Sequence, residues 1–173
     1  MKPDFGKISH KVLEDIYSEI IKEKGISLIT KNDFFRIKAG IKGTINRTIK
    51  KHFNIKKNNQ LCIEGNNLIL YEIMNDYISK VINIDEKYSP FEIIDLEGDK
   101  KSGYLKTLDL ENDNKINISG IVDRIDFKNN IYRIIDYKTG AIRSGELNLR
   151  DMDSVFDEQK TKSMQLLCYC LMF

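Results

Sequence analysis

The chain has 173 residues, of which 41% are hydrophobic and 31% are charged, and its formal net charge is +2. This length and composition are typical of one globular domain with a sizeable core, and they exclude a disordered polyelectrolyte. No apolar run approaches the length of a membrane span and no signal peptide is recognisable, so we expect a cytoplasmic protein without a membrane partner.

The first half of the chain is predicted to be helical. Apolar residues recur at helical spacing within Val12–Ile21, and Ser9 is the candidate N-cap of this helix. Similar patterns predict helices over Lys31–Lys51 and Asn66–Ile82, and Pro90 ends this region.

From residue 91 the pattern changes to that of strands. We predict four strands in an antiparallel meander, at Phe91–Glu97, Gly103–Leu108, Ile116–Phe127 and Ile131–Lys138. A polar loop around Ser144–Asp153 follows, and then a helix from Asp157 onward. This order predicts an α+β domain with a helical N-terminal half and a mostly antiparallel central sheet flanked by helices.

One domain is expected over residues 1–173, with a mainly helical part at 1–89 and a part with the sheet and C-terminal helix at 90–173. The sequence stops at Phe173 within an apolar helical pattern, so we expect a fragment of a longer protein. The three cysteines, Cys62, Cys168 and Cys170, form no Cys-x-x-Cys pair, and we interpret them as incidental thiols in a reducing compartment.

The last two predicted strands carry acids and a lysine on one face. If Asn129-Asn130 forms a two-residue turn, Asp123 lies across from Asp136, and alternation places Lys138 on the same face. Facing carboxylates repel each other unless a cation lies between them, and a divalent metal with a lysine alongside meets this need. Two alternatives stay open: a three-residue loop would move Asp123 off this face, and Asp-x-Lys also occurs on ordinary solvated hairpins.

The hairpin sequence, GIVDRID followed by IIDYKTG, resembles motifs II and III of the PD-(D/E)xK nuclease superfamily in its RecB/AddB-type branch. Gly6–Glu14 is similar to the glycine-then-His-x-x-Leu-Glu helix of that branch, and Gln165–Tyr169 is similar to its Gln-x-x-x-Tyr helix. The four motifs occur in the expected order and bracket almost the whole chain. The resemblance implies a restriction-endonuclease-like core.

The resemblance also implies a role for each matching residue. The metal ligands would be His10, Asp123, Asp136 and the main-chain carbonyl of Tyr137, and the ion would be Mg²⁺ or Mn²⁺. Lys138 would position or help deprotonate the attacking water and stabilise the developing phosphorane charge. Gln165 and Tyr169 would lie beside the site and help to hold Lys138 or the DNA strand.

The implied function is a metal-dependent DNA nuclease, an exonuclease on single-stranded or unwound ends, within a RecB/AddB-like helicase–nuclease of DNA repair and recombination. Two alternatives remain: a free-standing phage, mobile-element or CRISPR-linked nuclease, and a catalytically inactive DNA-binding or scaffold module. A further alternative is an α+β domain that binds RNA or a small molecule and carries the motif by accident. The chain has no phosphate-binding loop for ATP, so ATP use would belong to a motor domain or subunit. Many relatives hold an iron–sulfur cluster with one cysteine before the histidine motif, and since no cysteine precedes His10 we expect no cluster within these residues.

Several neighbouring residues are given minor roles. Asp126 is expected to be solvated, Arg124 to contact solvent or the DNA backbone, and Glu97 not to be a metal ligand. Glu14 is expected to be exposed, with a role as an outer-shell partner one helical turn from His10 as the alternative. The basic run from Arg47 to Lys57 is interpreted as a solvated helix face with DNA contact as its alternative. The aromatic residues Phe53, Tyr88 and Tyr104 are available for stacking on bases, but no pattern selects among them.

Overall fold

A computed structural model describes residues 2–53, 66–97, 103–110 and 114–173. The helices are α1 (Lys2–Lys24), α2 (Asp33–His52), α3 (Asn66–Tyr88) and α4 (Thr161–Met172). The strands are β1 (Leu28–Ile29), β2 (Phe91–Leu96), β3 (Tyr104–Asp109), β4 (Lys115–Gly120), β5 (Arg124–Lys128) and β6 (Ile131–Ile135). Helices followed by antiparallel strands and a last helix confirm the predicted α+β class.

The chain divides into two compact units. The N-terminal unit consists of Met1–Ile94 and Asp126–Ile131, and the C-terminal unit consists of Asp95–Ile125 and Tyr132–Phe173. The four-stranded sheet has the order β1-β2-β5-β6, and its strands β2, β5 and β6 each contain residues of both units.

Apolar stripes of α1, α2 and α3 form the core of the N-terminal unit. Residues at helical spacing are buried on each helix, including Val12, Leu13, Ile16, Ile20, Phe34, Ile37, Ile41, Ile45, Ile78 and Ile82. The hydroxyl of Tyr17 donates to Asp85 Oδ2 at 2.6 Å, which joins α1 to α3. Ser9 is not an N-cap: it lies within α1, and its Oγ donates to the carbonyl of Phe5 at 2.8 Å.

The predicted meander is divided between two sheets. β3 and β4 pair with each other in a separate two-stranded antiparallel sheet, from Tyr104↔Gly120 to Asp109↔Lys115. The single strand predicted over Ile116–Phe127 is therefore two strands, because the chain leaves β3 after Gly120 and pairs with β2 from Arg124 onward. β1, which was not predicted, pairs antiparallel with the start of β2.

The turn between β5 and β6 has the predicted two-residue length. Asn129 and Asn130 have φ values of 50° and 61°, which is the left-handed conformation that a type I′ turn requires at both central residues. Asparagine tolerates this region better than most residues because its side chain bonds to nearby main-chain groups. Five residues of strand flank the turn on each side, which agrees with pairing of Lys128 and Ile131 next to it.

The core of the C-terminal unit lies between the strands and α4. It contains Val122, Ile125, Tyr169 and Met172, with Tyr104, Ile118 and Ile134 packed against it. Gly120 lets α4 approach β4 closely, since a Cβ at this position would lie 3.1 Å from Met172 Cε and 3.5 Å from Tyr169 Cε1. The absence of a side chain at Gly120 therefore makes room for Met172 and lets α4 pack closely on β4.

None of the helices within the described ranges is long and apolar enough to cross a membrane. Cys168 is half-buried and Cys170 is exposed on α4, and both are free thiols. Cys62 lies outside the described residues.

Candidate active site

The carboxylate of Asp136, directly after β6, is surrounded by three polar side chains. Its Oδ2 lies 2.7 Å from Lys138 Nζ. Its Oδ1 accepts hydrogen bonds from Gln165 Nε2 at 3.1 Å and from the hydroxyl of Tyr169 at 3.2 Å. Gln165 Nε2 also donates to the Tyr169 hydroxyl at 2.6 Å. Asp136 thus contacts three other residues that the sequence predicts at the site, and two of these, Gln165 and Tyr169, also contact each other.

Asp123, directly before β5, lies at the same end of the hairpin. Its Oδ2 accepts a hydrogen bond from the main-chain N–H of Tyr137 at 2.6 Å. Its main-chain carbonyl accepts one from the N–H of Glu97 at 2.8 Å. Glu97 has a positive φ of 59°, an uncommon backbone conformation for a non-glycine residue. The main chain at Tyr137 thereby links the two acids, since this residue binds Asp123 and directly follows Asp136.

The alternation of β6 explains how α4 meets the site. Tyr132, Ile134 and Asp136 are two residues apart and share one face. Tyr132 packs on Phe173 directly after α4, Ile134 packs against the core cluster that includes Tyr169, and Asp136 accepts a hydrogen bond from Tyr169. The packing of α4, which is distant in sequence from β6, therefore brings Gln165 and Tyr169 to the Asp136 carboxylate.

The opposite face of β5 is also buried, contrary to the prediction from the sequence. Arg124 and Asp126 are both 0% exposed, so the predictions of a surface arginine and a solvated aspartate are wrong. The Arg124 guanidinium carbon lies 5.8 Å from the centroid of the Tyr137 ring, within the range of a cation–π contact. Alternation predicts a solvated face only when one side of a strand is exposed. A strand that is buried on both faces has no solvated face.

Burial raises the pKa of the Tyr169 phenol above its ordinary value of 10.0, and the negative charge and hydrogen bond of Asp136 raise it further. The hydrogen bond from Gln165 acts in the opposite direction but does not outweigh them. Because the protonated phenol is favoured, Tyr169 remains a hydrogen-bond donor to Asp136 across neutral and mildly alkaline pH.

The predicted histidine motif lies on α1, in the N-terminal unit. His10 is half-buried. Glu14 is only 7% exposed, so its prediction as an exposed residue is wrong: it is bound to Lys11 Nζ at 2.7 Å. Lys11 also lies 2.8 Å from Asp15. Burial alone would lower the pKa of Lys11, but the hydrogen bonds and charges of Asp15 and Glu14 raise it.

Several of the other candidate nucleic-acid contacts have protein partners. Arg47 binds Glu19 at 2.6 Å, and Lys56 and Lys57 lie outside the described residues. The Phe53 ring packs edge-on against His52, and the Lys128 Nζ lies 4.6 Å from the centroid of the Tyr88 ring. Tyr104 donates to Asp95 Oδ2 at 2.7 Å.

The oxygen donors near Asp136 fit a hard divalent cation. In the described ranges, no three His, Cys, Asp or Glu side chains are grouped closely enough to hold a metal ion. Mg²⁺ is nevertheless commonly bound through one or two carboxylates, with water and substrate phosphate completing its shell. The carboxylates of Asp123 and Asp136 and the carbonyl of Tyr137 supply the right chemistry for such an ion.

A family model of the PD-(D/E)XK nuclease superfamily matches residues 1–173, which is the whole chain. The chain belongs to this superfamily. Membership indicates a nuclease that hydrolyses phosphodiester bonds, and the helical N-terminal half with the antiparallel sheet is consistent with the restriction-endonuclease-like fold of PD-(D/E)XK proteins. No curated protein and no solved structure matches the chain significantly.

In this PD-(D/E)XK chain, two residues next to the acids were not selected from the sequence as parts of the site. Arg124 packs on Tyr137, and Gly120 allows α4 to approach β4 closely through Met172. The apolar neighbours Val122 and Ile125 could have indicated a buried arginine. The contact at Gly120 could not be found from the sequence, because it depends on where α4 packs.

Proposed function

We propose that this chain is a metal-dependent deoxyribonuclease whose active site is formed by Asp123, Asp136 and Lys138. The observation that carries the proposal is the Asp136 carboxylate, bound on one oxygen by Lys138 and on the other by Gln165 and Tyr169. Membership of a nuclease superfamily over the whole chain supports the reaction class.

The protein groups act mainly by position and charge. Lys138 carries three N–H donors, one of which faces Asp136, so the others can orient a water molecule and neutralise charge on the phosphorane. Gln165 and Tyr169 fix the orientation of Asp136 by donating to its Oδ1. The Tyr137 N–H fixes Asp123 in the same way.

Asp123, Asp136 and the Tyr137 carbonyl would hold Mg²⁺ or Mn²⁺. When bound, such an ion supplies positive charge to the phosphate oxygens and lowers the pKa of water. The proposed ligand role of His10 rests on the resemblance of its helix alone.

We further propose that the substrate is DNA with single-stranded or unwound ends, and that the chain acts as the nuclease domain of a RecB/AddB-like helicase–nuclease in cytoplasmic DNA repair and recombination. The four ordered motifs from Gly6 to Tyr169 support this branch. The motor would be a separate domain or subunit.

The test is digestion of end-labelled linear and circular DNA, single- and double-stranded, with Mg²⁺, Mn²⁺ or a chelator. We expect metal-dependent shortening of linear single strands, and loss of cleavage in Lys138→Ala. The matched control is Lys106→Ala, which removes an exposed lysine from β3 in the same unit.

Equal activity of Lys138→Ala and the wild type would exclude the proposed site. Cleavage of the circular strand would identify an endonuclease. DNA binding without cleavage, and without Mg²⁺ or Mn²⁺ binding by calorimetry, would instead support an inactive DNA-binding module.

A further inference from the structure

Three aromatic rings of the C-terminal unit pack together beside the candidate active site, and we call Tyr104, Tyr132 and Phe173 the aromatic cluster. The Phe173 ring contacts Tyr132 at a centroid distance of 5.0 Å and Tyr104 at 5.8 Å, both edge-to-face. Tyr104 is half-buried and held by its hydrogen bond to Asp95. Tyr132 is 53% exposed, so the cluster presents to solvent an aromatic ring that Phe173 holds in place by packing against it.

The aromatic cluster continues the face that carries Asp136. Tyr132 precedes Asp136 by four residues on the same face of β6, which corresponds to roughly 13 Å along a strand. Phe173 follows Tyr169 by four residues, and its N–H donates to the Tyr169 carbonyl at 3.1 Å. Tyr169 of α4 therefore contacts Asp136, and Phe173, one helical turn further along the chain, contacts Tyr132.

This distance matches a short stretch of nucleic acid. Nucleotides of one stacked strand follow each other at about 3.4 Å along the helix axis, so roughly 13 Å spans up to about four nucleotides. A strand whose phosphate lies at Asp136 and Lys138 would have a base within reach of Tyr132 a few nucleotides away.

We propose that the aromatic cluster binds one unpaired nucleobase of single-stranded DNA by stacking on Tyr132, and so holds the strand in the active site. The proposal rests on the proposed function, which it deepens. Stacking on a tyrosine ring requires an unpaired base, and it does not depend on which base it is, because every base has a π-face. Both properties suit an enzyme that moves along a strand without regard to sequence.

The test measures binding of fluorescein-labelled oligothymidine by anisotropy with Mg²⁺, in a Lys138→Ala background that prevents cleavage. We expect Tyr132→Ala to weaken binding about 5- to 150-fold, the effect of losing one stacked base. Tyr132→Phe, which keeps the ring, should bind as the parent does. Ile131→Ala, which removes an exposed side chain from the neighbouring position of β6, is the matched control.

A second measurement locates the stacked base. A single abasic site is placed at each position of the oligonucleotide in turn. At one or two positions we expect the abasic site to weaken binding by the Lys138→Ala parent, but not to weaken further the binding of the variant that also carries Tyr132→Ala. Cleavage by the wild type is assayed in parallel. If the wild type cleaves DNA but Tyr132→Ala binds as tightly as its parent, stacking on the aromatic cluster is excluded and the nuclease function stands.

If the wild type does not cleave DNA and the Lys138→Ala parent does not bind it, both proposals fail. Tighter binding of the matching RNA than of the DNA would overturn DNA as the occupant of the cluster.

Discussion

Two tyrosine–aspartate pairs, one in each unit, use the same donor and acceptor in different ways. In the N-terminal unit Tyr17 donates to Asp85 at 2.6 Å, and the two residues are 0% and 3% exposed. In the C-terminal unit Tyr169 donates to Asp136 at 3.2 Å, and Asp136 is also bound by Lys138. The first pair is short and shielded from water, whereas the second is longer and shares its carboxylate with a lysine that is partly exposed.

The difference separates a structural contact from a candidate catalytic one. A buried carboxylate that receives a short bond from one helix to another stabilises packing, and losing its donor costs folding free energy. A carboxylate with a lysine and two further donors beside it, at the end of a strand, is held in position while remaining near solvent. Substitutions in the first pair should reduce stability, and substitutions in the second should reduce activity.

The largest expected effect is that of removing one negative charge. Asp136→Asn keeps the shape and the acceptor for Gln165 and Tyr169 but loses charge where a cation is proposed, so cleavage should fall by more than about 100-fold. Stability should change by less than about 1 kcal/mol, because Lys138 is partly exposed and its ammonium group can turn towards water when the charge of Asp136 is removed. Asp85→Asn should do the reverse, with about 1–3 kcal/mol lost in urea unfolding and normal activity per folded molecule. Loss of activity in both variants would contradict the comparison.

Removing the two hydroxyls gives a smaller contrast. Tyr169→Phe removes one donor to Asp136 and the acceptor for Gln165, so we expect kcat to fall about tenfold, as is typical when a residue that orients a metal ligand is lost. Tyr17→Phe should leave kcat unchanged and cost about 1–3 kcal/mol of folding free energy. Steady-state kinetics and thermal unfolding of both variants measure the contrast. A kcat unchanged in Tyr169→Phe would show that the phenol has no positioning role.

The close approach of β4 and α4 provides a third test. In Gly120→Val the Cβ would lie only 3.1 Å from Met172 Cε, so overpacking should cost about 1–3 kcal/mol and shift α4, and with it Tyr169, relative to Asp136. We expect a severalfold fall in kcat in molecules that are still folded. Gly40→Ala on α2, where a Cβ meets nothing within 4 Å, should instead stabilise the protein by about 1 kcal/mol.

The smallest effect concerns pH. Burial, followed by the hydrogen bond and charge of Asp95, raises the pKa of Tyr104 from 10.0 to about 12. The folded state therefore keeps this proton where the unfolded state loses it, so the contribution to stability is complete below pH 10 and declines as the pH rises towards 12. The stability difference between wild type and Tyr104→Phe should shrink over this range in urea unfolding. A difference that does not vary with pH would contradict the shift.

Local signals in the sequence were sufficient for the helices and for the β5–β6 turn. The helical spacing of Val12–Ile21 and the two asparagines at 129 and 130 act over a few residues, so they can be read directly. The division of the strands between two sheets could not be predicted in this way. Whether Gly120 is followed by more of the same strand or by a change of partner depends on pairing with β2, which is distant in sequence.

The polar groups at the site were also predicted unevenly. Asp136 and Lys138 are two residues apart, so strand alternation alone predicts a shared face. Gln165 and Tyr169 were selected through a family resemblance, and their contact with Asp136 spans 29 and 33 residues. The burial of Arg124 escaped prediction because a charged residue in a strand is ordinarily on a solvated face.

Asp123 and Asp136 differ in how easily a substitution can remove the groups that bind their carboxylates. Asp123 is bound by the main-chain N–H of Tyr137, which every residue except proline provides, so mutation of that side chain leaves the donor in place. Asp136 depends on the side chains of Lys138, Gln165 and Tyr169, each of which a single codon change can remove. If selection for cleavage were relaxed, the side chains that bind Asp136 would therefore be lost before the main-chain contact of Asp123, and the folded protein would retain Asp123. Descendants of such a chain that bind DNA without cutting it should carry an intact Asp123 and losses among these three partners.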